Sequence, residues 1–185
     1  MTTSIPMPTL RARKTDASAK PLPDKGRQDL IDGLNRDLAG EYQAVLMYTH
    51  YSAKLTGPHR RELRVLFQAE VADEQRHAQF LADKIVSLGG EPTTAPHAVP
   101  SADLPREMLQ QALQAEKQAM ADYCERILQA ESCGEIGLKV ALENQVADET
   151  RHKEEIERIL TNWIGVDLER AGNEARWERN AVGQT

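Results

Sequence analysis

Two short segments of this chain read Asp-Glu-x-Arg-His, at Asp73–His77 and again at Asp148–His152. On a helix, side chains three positions apart are neighbours, so Glu74 shares a face with His77 and Glu149 with His152. Two further acids stand where apolar residues are expected: Glu41 between Leu38 and Val45, and Glu116 between Leu113 and Met120. A carboxylate on a stripe that should be buried is costly unless it is paired or bound to a metal. Four carboxylates and two neutral imidazoles carry four negative charges, which two divalent cations neutralise. Without cations the carboxylates must take up protons or repel one another. The chemistry of such a set is that of two divalent metal ions held close together. Iron and manganese both accept carboxylate and imidazole ligands, so the ligand types do not separate them.

Four helical patterns position these residues. The first carries Leu34, Leu38, Val45, Tyr48 and Leu55 at spacings of three, four and seven, and ends at Gly57-Pro58. The second carries Leu63, Phe67, Leu81, Ile85 and Leu88 and ends at Gly89-Gly90. Residues 91 to 105 hold four prolines and read as irregular. The third pattern runs through Leu109, Leu113, Met120, Tyr123 and Ile127 to Cys133-Gly134. The fourth runs through Leu138, Leu142, Ile156, Leu160 and Trp163, with Gly165 as its stop. Helices of about 30 residues are about 45 Å long. The connector of about 15 residues, at roughly 3.3 Å each, can run that length. The expectation is an all-α antiparallel four-helix bundle with one long crossover.

The second half repeats the first. Val71–His77 returns as Val146–His152, 75 positions on, with six of the seven residues identical. At the same offset Glu41, Gln43, Ala44 and Tyr48 return as Glu116, Gln118, Ala119 and Tyr123. The unit is a helical hairpin, over 25–90 and again over 103–165. In an antiparallel hairpin, residues at one level lie equidistant from the turn. Glu41 and Glu74 are centred between Gly57 and Pro58, and Glu116 and Glu149 just before Cys133. Each pair therefore faces across its hairpin, about 25 Å from the turn. If the halves pack about a two-fold axis, six side chains converge.

The remaining composition narrows the setting. The chain has 185 residues, 40% of them hydrophobic and 28% charged, with a net charge of −6. No apolar run reaches the roughly 20 residues of a membrane span, and an acidic chain gives no general reason to bind nucleic acid. Two cysteines build no disulfide framework, and the start holds no apolar stretch of signal-peptide length, so a cytoplasmic setting is expected. Residues 1–24 form a proline-punctuated basic arm, read as flexible, and 166–185 a polar tail or short fifth helix.

A Glu from each of two helices plus Glu-x-x-His from each of the other two is the general ligand set of di-iron and di-manganese carboxylate bundles. Over about residues 25–165 the chain resembles the ferritin-like superfamily and, within it, the bacterioferritins. The resemblance implies that Glu41 with His77 binds one iron, Glu116 with His152 the other, and that Glu74 and Glu149 bridge them. It further implies ferroxidase chemistry: two Fe²⁺ per chain, oxidised by O₂ or H₂O₂, for iron storage or detoxification in a homo-oligomer. Other uses of the same bundle are a dimanganese catalase, a di-iron peroxidase or oxidase, and a metal-stabilised interaction module. Bacterioferritins place a haem-binding Met after the Glu of the second helix; Gln75 stands here, so haem is not expected. Rubrerythrins carry a second Glu along the third helix, where this chain has Ala119, and a four-cysteine iron domain that it lacks.

Neighbouring residues have two readings each. Asp73 and Asp148 either accept a hydrogen bond from a ligand histidine or are surface acids. Tyr48 and Tyr123 either bond a bridging Glu or supply an electron, or else are core tyrosines. Glu70, whose repeat counterpart is Gln145, either assists metal entry or a third ion, or is a tolerated boundary carboxylate. His50, His59 and His97 fit no constellation and are expected to be exposed. Cys124 is expected to be a buried thiol.

Overall fold

The computed structural model describes residues 24–161 and Trp163. Its elements are α1 (Asp24–Lys54), α2 (Arg60–Ser87), α3 (Pro105–Ser132) and α4 (Ile136–Thr161). α1 packs on α2 and α3 on α4, and the two hairpins meet chiefly through α1 and α3. The result is the all-α bundle with one long crossover. No helix among the described residues is long and apolar enough to cross a membrane. Asp24, counted with the arm expected over 1–24, is the first residue of α1. The rest of that arm, Gly165, and the tail or fifth helix over 166–185 lie outside the described residues.

Glycine ends two of the helices in the same way. Gly89 and Gly134 take φ of 83° and 75°, a region closed to most side chains by the Cβ. After α2, the Gly90 amide reaches the Ile85 carbonyl and the Gly89 amide the Val86 carbonyl, both at 2.9 Å. After α3, Glu135 reaches Ala130 at 2.8 Å and Gly134 reaches Glu131 at 3.0 Å. These are Schellman pairs, which satisfy carbonyls left over at a helix end. α3 begins one residue earlier than the proline count suggests. Pro105 is its first residue, a position where the missing N–H costs nothing. The Glu107 carboxylate caps it by accepting from the amides of Leu104 and Asp103 at 3.2 and 3.1 Å.

The crossover is strapped along α1 from end to end, both running in one direction. Arg27 donates to the Leu88 carbonyl, Asn35 to Glu91, Tyr51 to Pro100 and Lys54 to Ala102, at 2.9, 3.1, 2.7 and 2.7 Å. The His97 amide adds a bond of 3.0 Å to the Ala39 carbonyl. An irregular segment has no ladder of its own, so α1 supplies partners for its backbone.

The core is two apolar bodies with an acidic layer between them. One holds Leu30, Leu34, Leu38, Leu81, Ile85, Leu138 and Leu142. The other holds Met47, Tyr51, Leu55, Leu63, Phe67, Met108, Leu109 and Ile156. Val45, Leu113 and Met120 are only half-buried, at the edge of the stripes they help to mark. Cys124 is exposed, correcting the expectation of a buried thiol; it lies a third of a turn past buried Tyr123. Cys133 is the buried cysteine, its Sγ 3.4 Å from the Gly26 carbonyl. His50 and His97 are exposed, whereas His59 is half-buried, with its ring centre 4.8 Å from that of Trp163.

Candidate dimetal centre

The acidic layer contains all six residues singled out by spacing, and all six are buried: Glu41, Glu74, His77, Glu116, Glu149 and His152. They fall into two overlapping groups. Glu41, Glu74, His77 and Glu149 present one set of ligand atoms, and Glu74, Glu116, Glu149 and His152 a second. Within each set the atoms lie inside 4.8 Å of one another. Glu74 and Glu149 belong to both sets, so they occupy the middle.

The histidines turn one nitrogen inward and one outward. His77 Nδ1 is 2.9 Å from Glu149, 3.3 Å from Glu74 and 3.9 Å from Glu41. His152 Nδ1 is 3.5 Å from Glu149 and 3.7 Å from Glu116. Outside, His77 Nε2 faces Asp148 at 3.7 Å and His152 Nε2 faces Asp73 at 3.4 Å. Each Asp therefore faces the histidine of the other repeat. Within its own helix each is held by the arginine three residues on, Arg76 for Asp73 at 2.6 Å and Arg151 for Asp148. The tyrosines cross over in the same manner. The Tyr48 hydroxyl donates to Glu116, and Tyr123 to Glu41. Both bond the outer carboxylates and neither bonds Glu74 or Glu149, the pair expected to bridge. Glu70 approaches the outer side of His152, its carboxylate 3.1 Å from Nε2.

Electrostatics show what this layer does without a cation. Burial, with Glu74 and Glu149 beside it, pushes the Glu41 carboxyl well above its ordinary range. Burial likewise raises Glu74 to about 7 and Glu116 to about 8. Burial also opposes charge on Glu149, but the His152 and His77 imidazoles beside it outweigh burial and hold that carboxyl below its usual value. For the imidazoles, burial again disfavours charge; their carboxylate partners prevail and raise both to about 11. The layer thus retains protons in place of cations. Even so, Glu116 Oε2, both Glu149 oxygens and both inward Nδ1 atoms are buried without a hydrogen bond of good geometry. Convergent carboxylate oxygens and imidazole nitrogens suit two divalent ions that replace these protons.

A cavity of about 240 Å³ opens onto the layer between α1 and α3. Small residues Gly40, Ala44, Ala115 and Ala119 make room for it, Glu41, Glu74, Glu116 and Glu149 lie at its base, and Asp37 and Asp122 lie on its walls. A buried ion pair escaped the sequence reading. Arg126 is buried on α3, its Nε 3.1 Å from Asp37. An isolated arginine in a helical pattern gives no sign of burial. Gly33 makes room for it, since a Cβ there would collide with the Arg126 guanidinium.

Comparisons with known proteins agree with this picture. The model of the ferritin-like domain family matches residues 31–165. A solved structure from Bacillus anthracis strain Ames, described as a ferritin-like, diiron-carboxylate protein, is 46% identical with a TM-score of 0.73; the match covers 75% of this chain and 99% of that one. A bacterioferritin of Desulfovibrio desulfuricans is 37% identical over 65 residues, 35% of this chain, and the match spans only 36% of that relative's length. A solved bacterioferritin structure from D. desulfuricans, described as having a diiron site, is 25% identical with a TM-score of 0.69, over 74% of this chain and 81% of that one.

Proposed function

The chain belongs to the ferritin-like family, and from that premise we propose that it is a ferroxidase that binds two Fe²⁺ per chain and oxidises them with O₂ or H₂O₂. The observation that carries the reading is the pair of overlapping ligand groups with Glu74 and Glu149 common to both. Iron is the substrate here. Each Fe²⁺ gives up one electron; the two electrons with two protons convert O₂ to H₂O₂, or H₂O₂ to two waters. The chain's part is to hold both donors beside one oxidant, which makes the two-electron step possible. Glu41 with His77 would serve one ion and Glu116 with His152 the other. Tyr48 and Tyr123 fix the outer carboxylates, while Asp73 and Asp148 hold the outward imidazole nitrogens and so set which nitrogen turns inward. The apolar bodies on either side exclude water from the layer, and the α1–α3 cavity is the route for a small oxidant.

Anaerobic titration of the metal-free protein should take up about two Fe²⁺ per chain, as that ligand set requires. Replacing both Glu74 and Glu149 by Ala should abolish uptake; retained stoichiometry would sink the reading. Storage or detoxification in a cytoplasmic homo-oligomer is the role we propose for the activity. A second reading, a non-storage dimetal enzyme, is favoured by a cavity larger than O₂ needs. Manganese in the protein as purified, with peroxide turnover, would select it.

A further inference from the structure

We infer that Glu70 makes the two metal positions unequal, so that the first divalent cation settles on the His152 side. The inference rests on the two-metal reading above and concerns its order of filling.

The internal repeat supplies the control. Six of seven residues around each Glu-x-x-His are the same, yet four positions before Glu74 stands Glu70, and four before Glu149 stands Gln145. Both side chains are buried, so each can act on the layer. The outward nitrogen of His152 meets two carboxylates, Glu70 at 3.1 Å and Asp73 at 3.4 Å. The outward nitrogen of His77 meets one, Asp148 at 3.7 Å. A carboxylate accepting the outer N–H of a ligand imidazole orients the ring and raises its basicity toward the metal. It also adds one negative charge within a ring's width of the cation. Of the acids lining the α1–α3 cavity, Asp37 is paired with Arg126 at 3.1 Å. Glu70 also lines a second cavity, of about 380 Å³, with Asp73 and His152.

Zn²⁺, which is not oxidised, is the probe. Wild-type metal-free protein should bind two Zn²⁺ in separate steps, with affinities differing by about 10- to 100-fold, the usual effect of an outer partner on a ligand histidine. By NMR of the histidine side chains, the first equivalent should move His152 and the second His77. Glu70→Gln installs what the other repeat already tolerates, and should bring the two affinities together. The double exchange Glu70→Gln with Gln145→Glu should reverse the order of filling. Equal affinities in the wild type, or an order unchanged by the exchange, would overturn the inference and leave the two-metal reading standing. Failure to bind two ions would remove both.

Discussion

At the residue scale, a buried carboxylate persists with a proton, with a cation or with hydrogen-bond donors, and this centre has a place for each. Glu74 and Glu116 keep protons to about 7 and 8, above their ordinary 4.5. The folded state therefore holds protons that the unfolded chain releases. Their contribution to stability is complete below the ordinary value and is lost as pH rises through 7 to 8. His77 and His152, raised from 6.5 to about 11, run the same way over a higher window. Glu149 runs the opposite way, but with a depressed value it is ionised in both states above about pH 5 and adds no slope there. Metal-free protein should therefore melt at falling temperature between about pH 5 and pH 8. Ligands must shed these protons to bind metal, so binding should release protons and tighten with pH. Thermal melts with a chelator and with saturating Zn²⁺ check both: the slope should be clear without metal and reduced or reversed with it. A flat profile without metal would mean that the layer holds no excess protons.

At the scale of elements, the helices were legible because repeating apolar positions and glycine stops are local signals. The six residues that converge in the candidate centre were legible for a related reason. Acids on an apolar stripe are conspicuous, and the repeat gave two copies of each. The cross-pairing of Tyr48 with Glu116 and Tyr123 with Glu41 was not legible, since it depends on how α1 lies against α3. Nor was Arg126, because its partner Asp37 is 89 positions away and their repeat counterparts are Tyr51 and Ala112. This pair breaks the two-fold likeness of the halves at the α1–α3 contact. Burial raises Asp37 to about 7 even beside the guanidinium, so the acid depends strongly on that neighbour. Arg126→Met should cost about 3 kcal/mol or more, the usual effect of orphaning one buried charge. Adding Asp37→Leu should recover most of it, because an apolar pair of similar volume is well tolerated. Denaturant titration of the metal-free variants measures both; a double variant no better than the single would show that shape, not charge, sets the cost.

At the scale of the whole molecule, ferroxidase chemistry needs one bundle, but storage needs an enclosed volume. Among the described residues nothing in a single chain encloses a mineral. The bundle does keep apolar side chains on its outside. Leu46 on α1, Leu128 on α3, and Ile136 and Val140 on α4 are all exposed, and contacts between copies are one way to cover them. Two bound divalent ions would also change the formal charge of −6 to −2 per chain, easing repulsion between copies brought together. The storage reading therefore predicts an assembly many times the 20.7 kDa chain mass. After aerobic loading that particle should elute with ferric iron well beyond the two ions per chain that the ligand set itself accounts for. Light scattering coupled to gel filtration, with iron measured across the peak, reads both quantities together. A dimer that leaves the column with only the two site ions per chain would remove storage while keeping the ferroxidase reading. The exposed apolar residues would then belong to one small interface, and the centre would belong to an enzyme.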